Sequence, residues 1–370
     1  MKYLLILNFA FALVFLGNPI LASEFNHAQK LTISPISGGY EVTIREPWAN
    51  AKEVYKTTLL KKETPSKPYH QGQVVRIPVQ KVVAHSTTTI GLMAALGVED
   101  RIIAVSDGKR VNTAKVVDAI KSGKVREVGM HGKLNPEILV ELQPDLILTY
   151  GTGNPKYDTA ASLKRLKLPY MVLASYMENT ALARCEWIKL FGILFGKESV
   201  AEQHFTMVEE NYERLKRLAS DLSPKPRVFC NLPFGGIWYM PSGSGWNAKL
   251  LADAGAHYLW AEDKRSGSHH LQPEQVFTRA LNADIWVNPS HNPLYNIQSL
   301  LDLDSRYKNF KAIKDKKVLV ATRRLNNTGG NDIFELGIAR PDFMLKDYII
   351  HFHPKALKGE SPTFYRWMPE

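Results

Sequence analysis

The sequence predicts an α/β protein of two Rossmann-like lobes with open, mainly parallel sheets, bridged by a long helix and preceded by a small N-terminal β-rich extension. Three observations point there. From residue 74 onward, short β-branched runs alternate with helical segments, the pattern of βαβ units. The stretch 179–222 contains no proline, repeats its apolar residues every three or four positions, and separates two such series. Motifs of the first series recur in the same order in the second. A length of 370 residues suits two globular units, and 45% hydrophobic residues exclude a disordered chain.

Residues 1–23 read as a cleaved secretory signal, with Lys2, an apolar run over 4–16, the breaker pair Asn18-Pro19 and small residues Ala22 and Ser23 at the cleavage site. The run is short and interrupted for a span that needs about 20 apolar residues, so an uncleaved anchor is the weaker alternative. The extension, 24–73, opens with a hairpin of strands 31–36 and 40–44 around Gly38-Gly39, where glycine supplies the positive φ of a tight turn. The N-terminal lobe, 74–178, is expected to hold strands over 81–84, 101–105, 146–150 and 170–173 and helices near 88–96, 112–121, 136–142 and 159–166. The spacer, 179–222, reads as one or two long helices with Gly192 and Gly196 as its only breakers. Pro224 and Pro226 end it. The C-terminal lobe, 223–370, is expected to hold strands 227–231, 236–240, 284–288 and 317–321, with helices 246–254, 273–281 and 341–352.

Internal repetition relates the lobes. Ser86 to Gly97 matches Ser244 to Gly255, a polar loop opening a helix that a glycine closes. Leu134-Asn-Pro-Glu137 followed by Pro144-Asp-Leu-Ile-Leu148 matches Leu271-Gln-Pro-Glu274 followed by Ala283-Asp-Ile-Trp-Val287.

A formal charge of +11 suits nucleic acid, an acidic surface or an anionic small molecule. An export signal, and the lack of a basic stripe interleaved with stacking aromatics, argue against nucleic acid. Two cysteines, Cys185 and Cys230, exclude zinc sites of several thiolates; they form one disulfide or are buried small residues. The chain has no Gly-x-Ser-x-Gly elbow and no His-Glu-x-x-His motif, so catalysis is not expected. His269-His270 and His351-Phe-His353 lack the i,i+4 spacing that would put two ligands on one helical face. Gly235-Gly236 and Gly329-Gly330 read as turn glycines, since no Gly-rich loop ends in the Lys-Ser/Thr of a phosphate cradle.

Two lobes bridged by a helix form a cleft, where small ligands usually bind. From 74 to 352, with Leu-Asn-Pro-Glu and Pro-Asp-Leu-Ile-Leu in one lobe and Leu-Gln-Pro-Glu in the other, the chain resembles the periplasmic substrate-binding proteins of ABC importers for ferric siderophores, haem or cobalamin, of the helical-backbone class III type. The resemblance implies a periplasmic, monomeric, non-enzymatic binder without an intrinsic cofactor or directly bound metal. Its ligand would be a ferric siderophore, with haem or cobalamin as the alternative. Its partner would be a membrane permease and, through it, an ATPase, docked by Glu137 and Glu274. An exported α/β enzyme acting on a metal chelate is the reading of another class. Each glutamate follows a proline favoured at the first helical position, so the helix dipole alone stabilises it by about 0.3–1 kcal/mol.

Open α/β sheets bind ligands at loops beyond the C-terminal ends of their strands. That rule selects 86–88, 107–110, 150–154, 290–292 and 323–327, and within them Ser86, Arg110 beside Lys109, Tyr150, His291, Arg323 and Arg324. Guanidinium forks suit the oxygens of an anionic chelate. The resemblance puts Trp238, Tyr239 and Trp246 near the ligand mouth, where flat rings would cover a chelator. His85 and His131, near strand or loop ends of the first lobe, are further candidates.

Overall fold

The computed structural model describes residues 25–65, 72–129, 134–265, 267–292 and 294–370; the expected signal and His131 lie outside them. The extension is a four-stranded sheet. β1 (Leu31–Ile36), β2 (Gly39–Arg45) and β3 (Val54–Lys61) form an antiparallel meander, and β4 (Gln73–Ile77) joins β3 in parallel. Gly38 turns the first hairpin at φ +77°, as its residue type demands. The expected boundary at 73/74 therefore cuts a strand of the extension. The alternation in 73–77 signals a strand without naming its partner.

The first lobe runs β5 (Val82–Ala84), α1 (Thr87–Ala95), β6 (Ile102–Val105), α2 (Ala114–Lys121), β7 (Arg126–Glu127), α3 (Pro136–Leu142), β8 (Leu146–Tyr150), α4 (Ala160–Arg165) and β9 (Tyr170–Leu173). Its sheet is wholly parallel, in the order β7-β6-β5-β8-β9. Central strands of such a sheet are covered on both faces, which is why 82–84 and 146–148 are continuously apolar and buried.

The spacer is three helices rather than one or two long ones: α5 (Ala181–Glu186), α6 (Ile188–Phe195) and α7 (Glu198–Ser220). Gly196, at φ +66°, ends α6 with its amide on the Gly192 carbonyl. Gly192 is no breaker. It lies within α6, and a Cβ there would come 2.7 Å from the Ala201 methyl, so it permits close packing of α7. The 23 residues of α7 span roughly 35 Å. Its buried stripe is Phe205, Val208, Tyr212 and Leu215, while Glu210, Arg214, Lys216 and Arg217 face solvent.

The second lobe runs β10 (Arg227–Cys230), β11 (Pro233–Phe234), β12 (Ile237–Pro241), α8 (Trp246–Asp253), β13 (His257–Tyr258), β14 (Ser268–Leu271), α9 (Pro273–Ala280), β15 (Ile285–Val287), α10 (Ile297–Leu303), α11 (Lys311–Lys314), β16 (Val318–Val320), α12 (Leu336–Ala339), α13 (Pro341–Phe352) and β17 (Arg366–Trp367). Its main sheet is ordered β13-β10-β15-β16-β17, parallel except for β17; β11, β12 and β14 form a small antiparallel sheet. The run β6-β5-β8-β9 thus has the same chain-order pattern as β13-β10-β15-β16, in keeping with duplication.

One carboxylate ties the lobes. Glu335, fully buried at the start of α12, accepts the Asn112 amide at 2.6 Å, the Thr113 amide at 2.7 Å and the Thr113 hydroxyl. These amides precede α2, where no helical carbonyl is available to them. Around this contact, Asn112 Nδ2 donates to the Gly330 carbonyl at 2.9 Å, Asn326 Nδ2 to the Val111 carbonyl at 2.6 Å, and the Thr328 hydroxyl to the Lys109 carbonyl at 3.0 Å. Gly91 lets α1 approach, since a Cβ there would lie 2.2 Å from the Glu335 carbonyl oxygen.

The same device recurs at the chain's described ends. Glu186 accepts the amides of Asn26, His27 and Ala28, Glu178 those of Gln29 and Lys30, and buried Asp347 those of Thr363, Phe364 and Tyr365.

Glu335→Ala should destabilise the protein by about 1–3 kcal/mol for each amide deprived of its acceptor, read as a lower urea midpoint. Burial raises the Glu335 carboxyl above its usual range despite its hydrogen bonds. A raised folded-state value means the carboxyl's contribution is whole below the ordinary range and declines as pH climbs through the folded value. The stability gap between wild type and Glu335→Ala should therefore narrow with rising pH.

Candidate functional site

The C-terminal ends of β5, β8 and β9 open into a pocket of about 250 Å³. It is lined by Ser86, Thr88 and Thr89 from the start of α1, Thr149, Tyr150 and Thr152 from the end of β8, and Ser175 and Tyr176 after β9. The surface they present is mostly apolar, since the Thr149, Thr152 and Tyr176 hydroxyls are bonded within the protein. Ser86 is there because it caps α1, its Oγ accepting the Thr88 amide at 3.3 Å. The Thr149 hydroxyl lies 2.8 Å from His85 Nδ1 and 3.0 Å from the Thr159 hydroxyl, so His85 supports the floor from the buried side.

Charge enters from one side. Burial raises the Tyr150 phenol, and the positive charge of Arg110 opposes that shift, so the guanidinium lies within electrostatic reach of the pocket. Arg110 Nε is also 3.1 Å from Asp107 Oδ2. The Tyr176 phenol is pushed up to about 12 by burial, with Asp158 and Tyr150 adding to it.

The loop after β6 is bound to the loop after β16, which brings the C-terminal edges of the two sheets together. On the second lobe, Phe234 in β11 and Leu294 in the loop after β15 are 81% and 86% exposed. His291 sits edge-on to the Phe334 ring at 5.3 Å.

Ser86 and Tyr150 line the pocket, with Arg110 beside it; other expected residues are engaged elsewhere. Trp238 is fully buried, donates from its indole to the Cys230 carbonyl at 2.8 Å and packs among Phe229, Trp286 and Tyr307. It is lobe core, because strand alternation turns it inward with Met240. Tyr239, on the other face of β12, stands edge-on to His270 at 4.8 Å. Trp246 carries the buried Arg184 guanidinium 4.2 Å above its ring. Arg324 is held by Asp332 at 2.5 Å and belongs to the contact between lobes. Arg323 is exposed, and its charge bears on His351 of α13. Cys185 and Cys230 are free and buried, which removes the disulfide alternative.

Glu137 and Glu274 are exposed in the first turns of α3 and α9, the helices that lead into the corresponding strands β8 and β15. Glu274 meets Arg306 at 3.3 Å. Thr88 and Thr152 lie in the loops the sequence selects; Thr89, Thr149, Ser175 and Tyr176 lie outside them, although the strand-end rule that selected Tyr150 extends to the residues after β9. Among the described residues, no three His, Cys, Asp or Glu side chains gather as a metal site would require.

Residues 82–325 match the sequence model of the periplasmic binding proteins. The chain belongs to that family. An uncharacterized lipoprotein of Methanocaldococcus jannaschii is 27% identical over 305 residues, covering 79% of this chain and 70% of the relative. Among solved structures, a periplasmic heme binding protein from Pseudomonas aeruginosa aligns with TM-score 0.59 and 18% identity over 79% of this chain and 99% of that one. Helicobacter pylori Ceue with Ni(II) bound aligns with TM-score 0.59 and 19% identity over 81% and 92%. At these identities the structural likenesses establish the fold. In this periplasmic binding protein no helix of the described residues is long and apolar enough to cross a membrane.

Trp238→Ala should cost about 3–5 kcal/mol in urea denaturation, as for a core aromatic; a tryptophan on the cleft surface would cost far less.

Proposed function

We propose that this protein is the exported capture component of an ABC importer, holding a ferric siderophore in the cleft and delivering it to a membrane permease and its ATPase. The observation that supports the reading is the pocket at the C-terminal edge of the first sheet, the strand end at which open α/β sheets bind ligands. The mostly apolar surface would cover the chelator's carbon frame, and the hydroxyls not already bonded within the protein could donate to the oxygens that ring a chelated metal. Arg110, whose charge bears on Tyr150 while Asp107 pairs with it, is the arginine that would meet an anionic chelate here. Haem or cobalamin is the second reading, supported by Phe234 and Leu294, which would lie well against a flat macrocycle.

Glu137 and Glu274 offer equivalent exposed charges, one on each lobe, a two-point address for basic residues of a permease. Glu274 would exchange Arg306 for its partner at little cost, since exposed ion pairs are worth only about 0–1 kcal/mol.

The absorption spectrum and mass of the molecule that co-purifies test the ligand class directly. An iron chelate recovered intact supports capture, whereas a converted product supports an enzyme. Arg110→Ala should weaken an anionic chelate about tenfold, measured by calorimetric titration. Glu137→Ala combined with Glu274→Ala should leave that titration unchanged and abolish uptake; undiminished uptake would remove the docking assignment.

A further inference from the structure

The N-terminal extension touches the pocket wall at one place. Between β2 and β3, Trp48 lays its indole against the turn 151–153. A Cβ on Gly151 would lie 2.5 Å from the ring's Cε3, and one on Gly153 would lie 2.6 Å from Cδ1, so the indole fills the space that side chains would occupy. The Tyr176 hydroxyl sits 2.6 Å from the Gly151 carbonyl oxygen and 3.0 Å from that of Pro47, bridging pocket wall and extension. Asp158 fixes the same turn, accepting the Thr152 amide at 2.6 Å, the Thr152 hydroxyl at 2.8 Å and the Gly153 amide at 2.9 Å.

The extension is in turn anchored. Trp48 meets Tyr55 of β3 edge-on at 6.4 Å. The Gln73 side chain takes the Tyr170 amide at 3.1 Å and donates to its carbonyl at 2.6 Å, completing the outer edge of β9. Gly151, Thr152 and Tyr176 all line the pocket, whereas Trp48 stands behind them.

We propose that Trp48 is a specificity-determining positioning residue: by backing the turn 151–153 it sets the width of the ligand pocket, which makes the N-terminal extension part of the binding site. The proposal rests on the reading that this pocket receives the chelate. Without the indole, the turn can relax into the vacated volume. Room for a bulky ligand then increases, while the wall against a smaller one moves away. The signature is a change in the ratio of affinities, which a loss of stability alone would not produce.

The test uses the full mature chain and calorimetric titration with three probes: a ferric trihydroxamate, a ferric tricatecholate and haemin. Trp48→Ala should change the ratio between the tightest and weakest dissociation constants by about tenfold, and Trp48→Phe, which keeps a flat ring over Gly151, should restore it. Hydrogen exchange at the amides of 151–153 should quicken in Trp48→Ala and not in Trp48→Phe. Tyr176→Phe, which removes one bridging hydroxyl, should change the ratio in the same direction and guards against misfolding of the larger truncation. An unaltered ratio in Trp48→Ala and Tyr176→Phe overturns the proposal while leaving the pocket assignment intact. If the wild type binds none of the three probes, the ligand reading fails for those classes. Exchange then decides the positioning role by itself, with unchanged rates at 151–153 in Trp48→Ala overturning it.

Discussion

A buried carboxylate that hydrogen-bonds backbone amides is the contact on which this arrangement depends. Glu335 joins the two lobes in this way, and Glu178, Glu186 and Asp347 fasten the described ends of the chain. An amide acceptor pair differs from an ion pair in one consequential respect. Its donors belong to the main chain, so the bond fixes the path of a segment rather than the tip of a flexible side chain. Charge-assisted bonds of this type are about twice as strong as neutral ones, and removing the carboxylate strands several donors at once. With the loop after β6 held to the loop after β16, and α1 packed closely on the Glu335 backbone, the cleft has little freedom to open or close.

A cleft of fixed spacing must recognise its ligand by preformed shape, which saves the ordering cost that a mobile site would incur. The pocket is built accordingly. Each hydroxyl of its wall lies at a strand end or helix start whose position is set by the sheet, and the turn 151–153 is held from both sides by Asp158 and Tyr176. Some arginines, by contrast, are committed to structural work. Arg324 pairs with Asp332, Arg340 with Asp342, and Arg184 lies on Trp246.

This division explains what could be read from the sequence. Local signals were legible: Pro136 and Pro273 mark helix starts, the apolar runs 146–150 and 170–173 coincide with β8 and β9, and the repeated motifs occupy corresponding places in sheets of matching strand order. Non-local partners were not. The alternation in 73–77 says strand but not that β3 is its neighbour, and Gly192 looks like a breaker until Ala201 is found against it. Trp238 next to a glycine-rich turn suggests a ligand platform, yet the register of β12 sends it into the core. Strand-end topology found Ser86, Arg110 and Tyr150; nothing in the sequence brings Trp48 to Gly151, because some 100 residues and a change of sheet separate them.

The fixed spacing of the lobes is the central claim, and the distance between spin labels on them measures it most directly. With Val140 on α3 and Leu303 on α10 replaced by labelled cysteines, both sites being exposed and the two native cysteines buried, electron–electron resonance gives the interlobe distance distribution. The account predicts one narrow distribution that keeps its centre when an iron chelate is bound. A broad or two-peaked distribution in the free protein, or a shift of several ångströms on binding, would contradict it.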